Sequence, residues 1–321
     1  MKNVLTLATI VLEDKLTAPI KRKTGSTWCY VHTINRYAGK DILSIDQTND
    51  YIAQKILEGT PFCVGRLGAN ELFSAGMFEF DADIKKQKAI NQLSVCGGFF
   101  PADVALGDRF VETIRQACRQ VDVAGISAPR FERYFIKKYM PKSVKLSRIM
   151  ELDPMKNSHN PWTKALKGKK VLVIYPFAEL IEQQYTQKRE KIFPGTEILP
   201  EFELKVMTSV QTIAGEKDER FTTWFEALEW MKEEALKIDF DVAIIGCGAY
   251  GLPLAAMLKE AGKQAIHLGG AVQVLFGIKG KRWEEEPKFQ YVKDWFNDAW
   301  VNPSAKDIPQ RAHEVEGGLY W

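Results

Sequence analysis

The chain reads as an α/β protein with a Rossmann-like, mostly parallel sheet and helices on both faces. Short β-rich apolar segments alternate with amphipathic helical ones along its 321 residues, the order produced by parallel strands joined through crossover helices. One stretch, 241–270, spells a complete βαβ unit: the strand Asp241-Val-Ala-Ile-Ile, the turn Gly246-Cys-Gly248-Ala-Tyr250-Gly251, a small-residue helix, and the strand Gln264-Ala-Ile-His267-Leu-Gly269-Gly270. A hydrophobic content of 45% in a chain of this length supports a substantial core.

The predicted strands are Phe62–Val64, Val121–Ile126, Val144–Met150, Val171–Tyr175, Leu204–Val210, Val242–Ile245 and Ala265–Leu268. Before them, Val4–Leu12 is apolar apart from its threonines. It is short, lacks a small-x-small cleavage pattern and runs into Glu13-Asp14, so it predicts a helix or strand of the fold instead of a signal peptide. Trp224, Leu228, Met231 and Ala235 recur at three- and four-residue intervals and mark the core face of a helix ending near Asp239. The polar, proline-bounded stretch Asp153–Trp162 reads as a connector. It separates an N-terminal α/β half, 1–155, from a C-terminal Rossmann-like half, 156–321, and the two are expected to pack as one continuous domain. No internal repeat or low-complexity tract interrupts them.

Charge and cysteine usage narrow the function classes. A net charge of +3 is too small for the dense basic stripe of a nucleic-acid-binding protein. The five cysteines are scattered and form no CxxC pair, which suggests neither a disulfide framework nor a zinc site and fits a reducing cytoplasm. No run approaches the roughly 20 apolar residues of a membrane span. Lys21-Arg22-Lys23 leaves room for peripheral membrane contact, although three basic residues equally suit a solvated loop.

The glycines of the 241–270 unit suit a phosphate, because backbone N–H groups at a helix start can meet an anion closely where no Cβ intervenes. A nicotinamide dinucleotide site would also want an acidic residue about 20 positions beyond the first glycine. That place holds His267, and NAD is therefore not the expected ligand. A second constellation, Phe62-Cys-Val-Gly65-Arg66-Leu-Gly68-Ala69-Asn70-Glu71, also follows a strand and opens a helix. Here Arg66 could pair with a phosphate, and Glu71 could act as a base or ligate a cation. The same residues also fit a helix cap beside a surface ion pair.

Together these segments resemble a bacterial glycosyltransferase family whose fold is called GT-D. Gly65–Glu71 is similar to its R-F-G-D-G-E signature, and Gly262-Lys-Gln-Ala-Ile-His267-Leu-Gly269 to its late G-Y-Q-A-I-D-I-G segment. The chain also resembles an uncharacterised branch from capsule and exopolysaccharide gene clusters, through Gly269–Trp283 and the ending Val315-Glu316-Gly-Gly-Leu-Tyr320-Trp321. The resemblance implies sugar transfer from a nucleoside-diphosphate donor, a UDP-sugar first, to a glycan or lipid-linked acceptor, and an Asp-x-Glu pair that recruits Mg or Mn. This chain departs from the pattern: Ala69 replaces the Asp, so Glu71 is the one carboxylate left for metal, and His267 replaces the late Asp.

Transfer must stabilise charge on the leaving diphosphate, which cationic side chains and N–H groups can do. The expected donor-binding set is Arg66, Gly68, Asn70, Gly246, Gly248, Tyr250, Gly251, Gly269, Gly270, Lys279 and Arg282. The expected catalytic set is Glu71, His267 and Asp103, with Phe99, Phe100, Tyr250, Tyr320 and Trp321 as aromatic candidates for the acceptor side. Two other functions fit the same residues, an NAD(P)-dependent oxidoreductase and a non-catalytic nucleotide-sugar-binding protein.

Overall fold

Each predicted strand coincides with a strand of the protein. The computed structural model describes residues 2–81, 83–315 and 317–321, so Glu316 lies outside the described residues. Among these the strands are β1 (Arg36–Tyr37), β2 (Lys40–Asp41), β3 (Phe62–Arg66), β4 (Val123–Ile126), β5 (Lys145–Arg148), β6 (Lys170–Tyr175), β7 (Glu203–Thr208), β8 (Val242–Ile245) and β9 (Gln264–His267). The first two pair as a small antiparallel ladder. The other seven form one sheet in the order β5-β4-β3-β9-β8-β6-β7, with every neighbouring pair parallel.

The helices are α1 (Lys2–Lys23), α2 (Thr27–Tyr30), α3 (Ile45–Glu58), α4 (Ala69–Glu79), α5 (Asp83–Gly97), α6 (Gly107–Gln120), α7 (Glu132–Tyr139), α8 (Ala178–Ile192), α9 (Trp224–Lys237), α10 (Gly251–Glu260), α11 (Ala271–Leu275), α12 (Lys281–Glu285) and α13 (Gln290–Lys293). Their boundaries follow local chemistry. Helix α3 opens on a reciprocal Ser44/Gln47 capping box and stops at Gly59 in the left-handed conformation. Helix α9 opens where the Thr223 side chain accepts from the Glu226 N–H, and its predicted stripe of Trp224, Leu228, Met231 and Ala235 is buried.

Successive side chains of the central strands enter opposite cores, as the two-residue strand period requires. In β6, Leu172 and Ile174 join the cluster built on α4, α6, α9 and α10, whereas Val171, Val173 and Tyr175 join the cluster built on α3, α8 and α11. Both faces of the sheet are therefore covered.

The stretch Asp153–Trp162, which leads from β5 to β6, is largely buried. Asp153, Met155, Asn157 and Trp162 are buried. Trp162 donates through Nε1 to the Leu152 carbonyl (2.8 Å) and through its backbone N–H to Asn49 Oδ1 (2.8 Å). Asp153 meets Arg66 and Asn157 donates to Asp46, while His159 stays exposed, a division that composition alone does not reveal.

Trp224 packs against Phe99, Phe110 and Phe225 and stacks on Tyr250 at 4.9 Å and 12°. Trp224→Ala is expected to destabilise the protein by about 3–5 kcal/mol, the range for emptying a large aromatic site, as measured by urea denaturation.

Candidate functional site

Because all seven strands run in parallel, their carboxyl ends share one edge of the sheet, and the chain departs from that edge in two directions. It leaves β6 toward β7 on one side and β8 toward β9 on the other, so their loops part over a crevice. A cavity of about 560 Å³ opens there, within the size range of small-molecule sites. Its floor comes from the ends of β3 (Arg66), β6 (Tyr175), β8 (Gly246) and β9 (His267), and one side from Gly68–Glu71 at the start of α4. The opposite wall carries Ser26, Thr27 and Trp28 around the start of α2, Arg282 of α12, Lys288, and the C-terminal Tyr320 and Trp321.

Two of the floor residues are buried and charged or chargeable. The Arg66 guanidinium pairs with the buried Asp153 carboxylate and donates to the Ile149 carbonyl, and Tyr291 Oη donates to the other Asp153 oxygen (2.6 Å). Arg66 is thus held in a buried ion pair, not the surface pair weighed from sequence. Its Nε is buried with no hydrogen-bond partner. His267 is 7% exposed, and its Nδ1 likewise has no partner. Burial first, and the Arg66 charge second, push the imidazole down to about 3, against a backbone hydrogen bond with Arg66. His267 is therefore neutral at physiological pH and a weaker proton acceptor than an ordinary imidazole. It remains able to hydrogen-bond a ligand.

The glycines serve chain crossing. A Cβ on Gly251 would strike the His267 ring, and one on Gly246 would strike the Gly269 carbonyl and the Tyr175 ring. The N–H groups of Gly246 and Gly269 donate to the Ile174 and Ile245 carbonyls. The glycine turn thus lets β8, β9 and α10 meet closely, and Gly246, Gly248, Gly269 and Gly270 present backbone to the cavity.

The other expected residues divide. Glu71 lines the cavity, its carboxylate folded back so far over Gly68 that no Cβ would fit there. Asn70 lines it too, while its Oδ1 accepts from Gln92 (2.7 Å). Asp103 is not brought to the cavity; it is exposed and caps residues 104–106 by accepting from the Ala105 N–H (2.8 Å). Lys279 also falls outside the lining and lies over the Phe296 ring. Phe99 is a core residue. Tyr250 touches the cavity only from within the core, its hydroxyl 3.1 Å from Thr212 Oγ1. Cys247, also in the lining, is fully buried, and burial pushes its thiol up, away from a reactive thiolate.

Arg282 donates to Tyr320 Oη (2.9 Å), and both Arg282 and Lys288 approach the single carboxylate of Glu286. Among the described residues the charged side chains lining the cavity are Arg66, Arg282, Lys288 and Glu71, so cationic groups stand where a bound anion could meet them. Lys288 and Trp28 went unrecognised in the sequence. The signal for Lys288 is hidden because the acidic run Glu284–Glu286 before it suggests a neutralised surface loop. Trp28 carries no sequence signal.

Glu71 is the carboxylate of the described lining that could hold a divalent cation together with a donor's phosphates. Ala69 occupies the place of a second carboxylate, and among the described residues no group of three or more His, Cys, Asp or Glu side chains converges on a metal position.

The fold is a doubly wound parallel sheet with a crevice at its carboxyl edge. The chain belongs to the GT-D-like family: the model of the GT-D fold-like domain matches residues 43–275. Two solved structures align with it. One is described as the highly conserved domain of unknown function 1792 with a distinct glycosyltransferase fold, at 12% identity over 84% of this chain and 93% of that one, with a TM-score of 0.45. The other is a selenomethionine-substituted structure of domain 1792, at 13% identity, the same coverage and a TM-score of 0.44. No curated protein matches the chain.

Two outcomes follow from the buried groups. Asp153→Ala strands the Arg66 charge and is expected to destabilise the protein by about 3–5 kcal/mol in chemical denaturation. For His267, the unfolded imidazole takes a proton near 6.5 while the folded one resists to about 3. Its contribution is therefore complete above pH 6.5 and lost as pH falls below it. Between pH 7 and 5 the wild type should lose about 2 kcal/mol more than His267→Gln, read from urea midpoints at each pH.

Proposed function

We propose that the protein is a cytoplasmic glycosyltransferase that moves a sugar from a nucleoside-diphosphate donor, a UDP-sugar first, to a glycan or lipid-linked acceptor. The observation that carries this reading is the crevice itself, with the buried Arg66 on its floor and Arg282 and Lys288 on its wall, at the edge where parallel α/β sheets bind ligands. Arg282 and Lys288, which both approach Glu286, stand on that wall where a diphosphate could meet them. The Arg66 Nε–H and the neutral His267 Nδ1, both buried without partners, supply hydrogen-bonding capacity that a bound donor would use. Trp28, Phe177, Tyr320 and Trp321 offer flat faces for a base or sugar ring.

In this reading the bond broken joins the anomeric carbon to the diphosphate oxygen, and the cationic wall stabilises the charge gathering on the leaving group. The acceptor oxygen bonds to the anomeric carbon as its hydroxyl proton passes to Glu71, the one carboxylate among the described residues of the cavity lining. Placement in surface polysaccharide assembly rests on the likeness of residues 269–283 and 315–321 to the capsule-cluster branch.

A thermal-shift series against UDP-, GDP-, CMP- and dTDP-sugars and NAD(P), with and without Mg²⁺ or Mn²⁺, tests the donor class, since a native-state ligand must raise the melting temperature. One sugar nucleotide should stabilise the protein, and Arg282→Ala combined with Lys288→Ala should weaken its Kd by at least about tenfold. Glu71→Gln should keep that binding and lose about 100-fold or more in turnover. Stabilisation by NAD(P) alone would sink the transferase reading, and donor binding with wild-type turnover of zero would leave only the binding-protein function.

A further inference from the structure

Helix α1 lies outside the family-matched span and has two unlike faces. Its inner face, at three- and four-residue spacing, carries Leu7, Ile10, Asp14, Thr17 and Lys21. Leu7 and Ile10 pack on the core, Lys21 donates to the Ala128 carbonyl (3.0 Å), and Asp14 pairs with Arg130 (2.6 Å). These contacts fix which way the other face points. That face presents Leu5, Leu12, Leu16 and Ile20, which are 70%, 56%, 68% and 47% exposed. An aliphatic stripe of this kind, repeated over a helix about 33 Å long, is unusual on a solvated surface.

The charges sort with the faces. Among the described residues of α1, Lys15, Arg22 and Lys23 are exposed and basic. The acidic residues turn to protein cations instead, Glu13 to Arg133 and Asp14 to Arg130 and Lys21. No helix of the described residues is long and apolar enough to cross a membrane. An exposed aliphatic stripe with Lys15, Arg22 and Lys23 beside it, and with Glu13 at its other edge turned to Arg133, suits a helix lying in the plane of an anionic bilayer, where the apolar side chains enter the acyl boundary and the bases meet lipid phosphates.

We propose that α1 is an interfacial helix that seats the protein on an anionic lipid surface. The chain passes directly from α1 into Ser26, Thr27 and Trp28, which line the cavity, so the seat holds the cavity wall close to the bilayer. The attachment needs neither donor nor turnover and stands apart from the transferase chemistry.

Flotation of the full chain with vesicles of phosphatidylcholine alone, or with phosphatidylglycerol added, tests it. Binding is expected to the anionic vesicles, to fall as salt shortens the screening length, and to be absent on the neutral ones. Leu12→Glu with Leu16→Glu, both at exposed positions, should weaken it at least about tenfold. So should Lys15→Glu with Lys23→Glu, which keeps the aliphatic stripe and reverses the charge. Unchanged melting temperatures would exclude misfolding as the cause. The proposal is overturned by absence of binding to anionic vesicles, by binding that either variant leaves unchanged, or by a solution dimer that Leu12→Glu with Leu16→Glu splits into monomers, since the stripe would then be covered by a second copy.

Discussion

A parallel sheet buried on both faces constrains everything else in this molecule. Parallel neighbours cannot be joined by hairpins, so each strand must be followed by a crossover that returns over one face. The consequence is that the ends of β3, β6, β8 and β9 emerge at one edge, and the loops that follow them cannot all leave in the same direction. The parting of the β6 and β8 loops makes the crevice, and the register that sets Val64 opposite Ile266 brings Arg66 and His267 to its floor on adjacent strands.

Placing a guanidinium on that floor sets a second requirement. A charge so deeply buried needs a partner of opposite sign, and Asp153 supplies it from the segment that follows β5. Tyr291, from α13, completes the shell. One ion pair thereby joins the end of a central strand, the segment between the halves of the chain, and the C-terminal elements. The Arg66 charge also helps to keep His267 neutral, so the floor is held by interactions within the protein, while Arg282 and Lys288 stand on the wall beside Glu286.

The wall and floor differ in origin. Residues 43–275 carry the family match and include Arg66, Glu71, the glycine turn and His267. Trp28, Arg282, Lys288, Tyr320 and Trp321 lie outside that span yet close the cavity. Tyr320 and Trp321 are anchored there, the Tyr320 carbonyl accepting from Gln273 Nε2 (3.0 Å) and Trp321 Nε1 donating to the Asp307 carbonyl (3.1 Å).

The strands were legible because a strand buried on both faces must be a short apolar run, and little else in a soluble chain looks like that. The α9 stripe was legible because 3.6-residue periodicity survives in the order of residues. Likewise the Gly65–Glu71 and Gly262–Gly269 segments each lie within one local turn, and their likeness to the family could be read directly. What the order of residues could not contain is distance between remote segments. That Asp103 caps a turn away from the cavity, that Tyr250 stacks in the core, that Asp153 finds Arg66, and that Lys288 reaches the wall were each decided by long-range packing. The sequence alone determined the elements, their alternation and the cores they would share, because those depend on local spacing and hydrophobicity. The tertiary structure alone decided which polar side chains face one another, because a buried charge takes its partner from whatever segment the fold brings within reach.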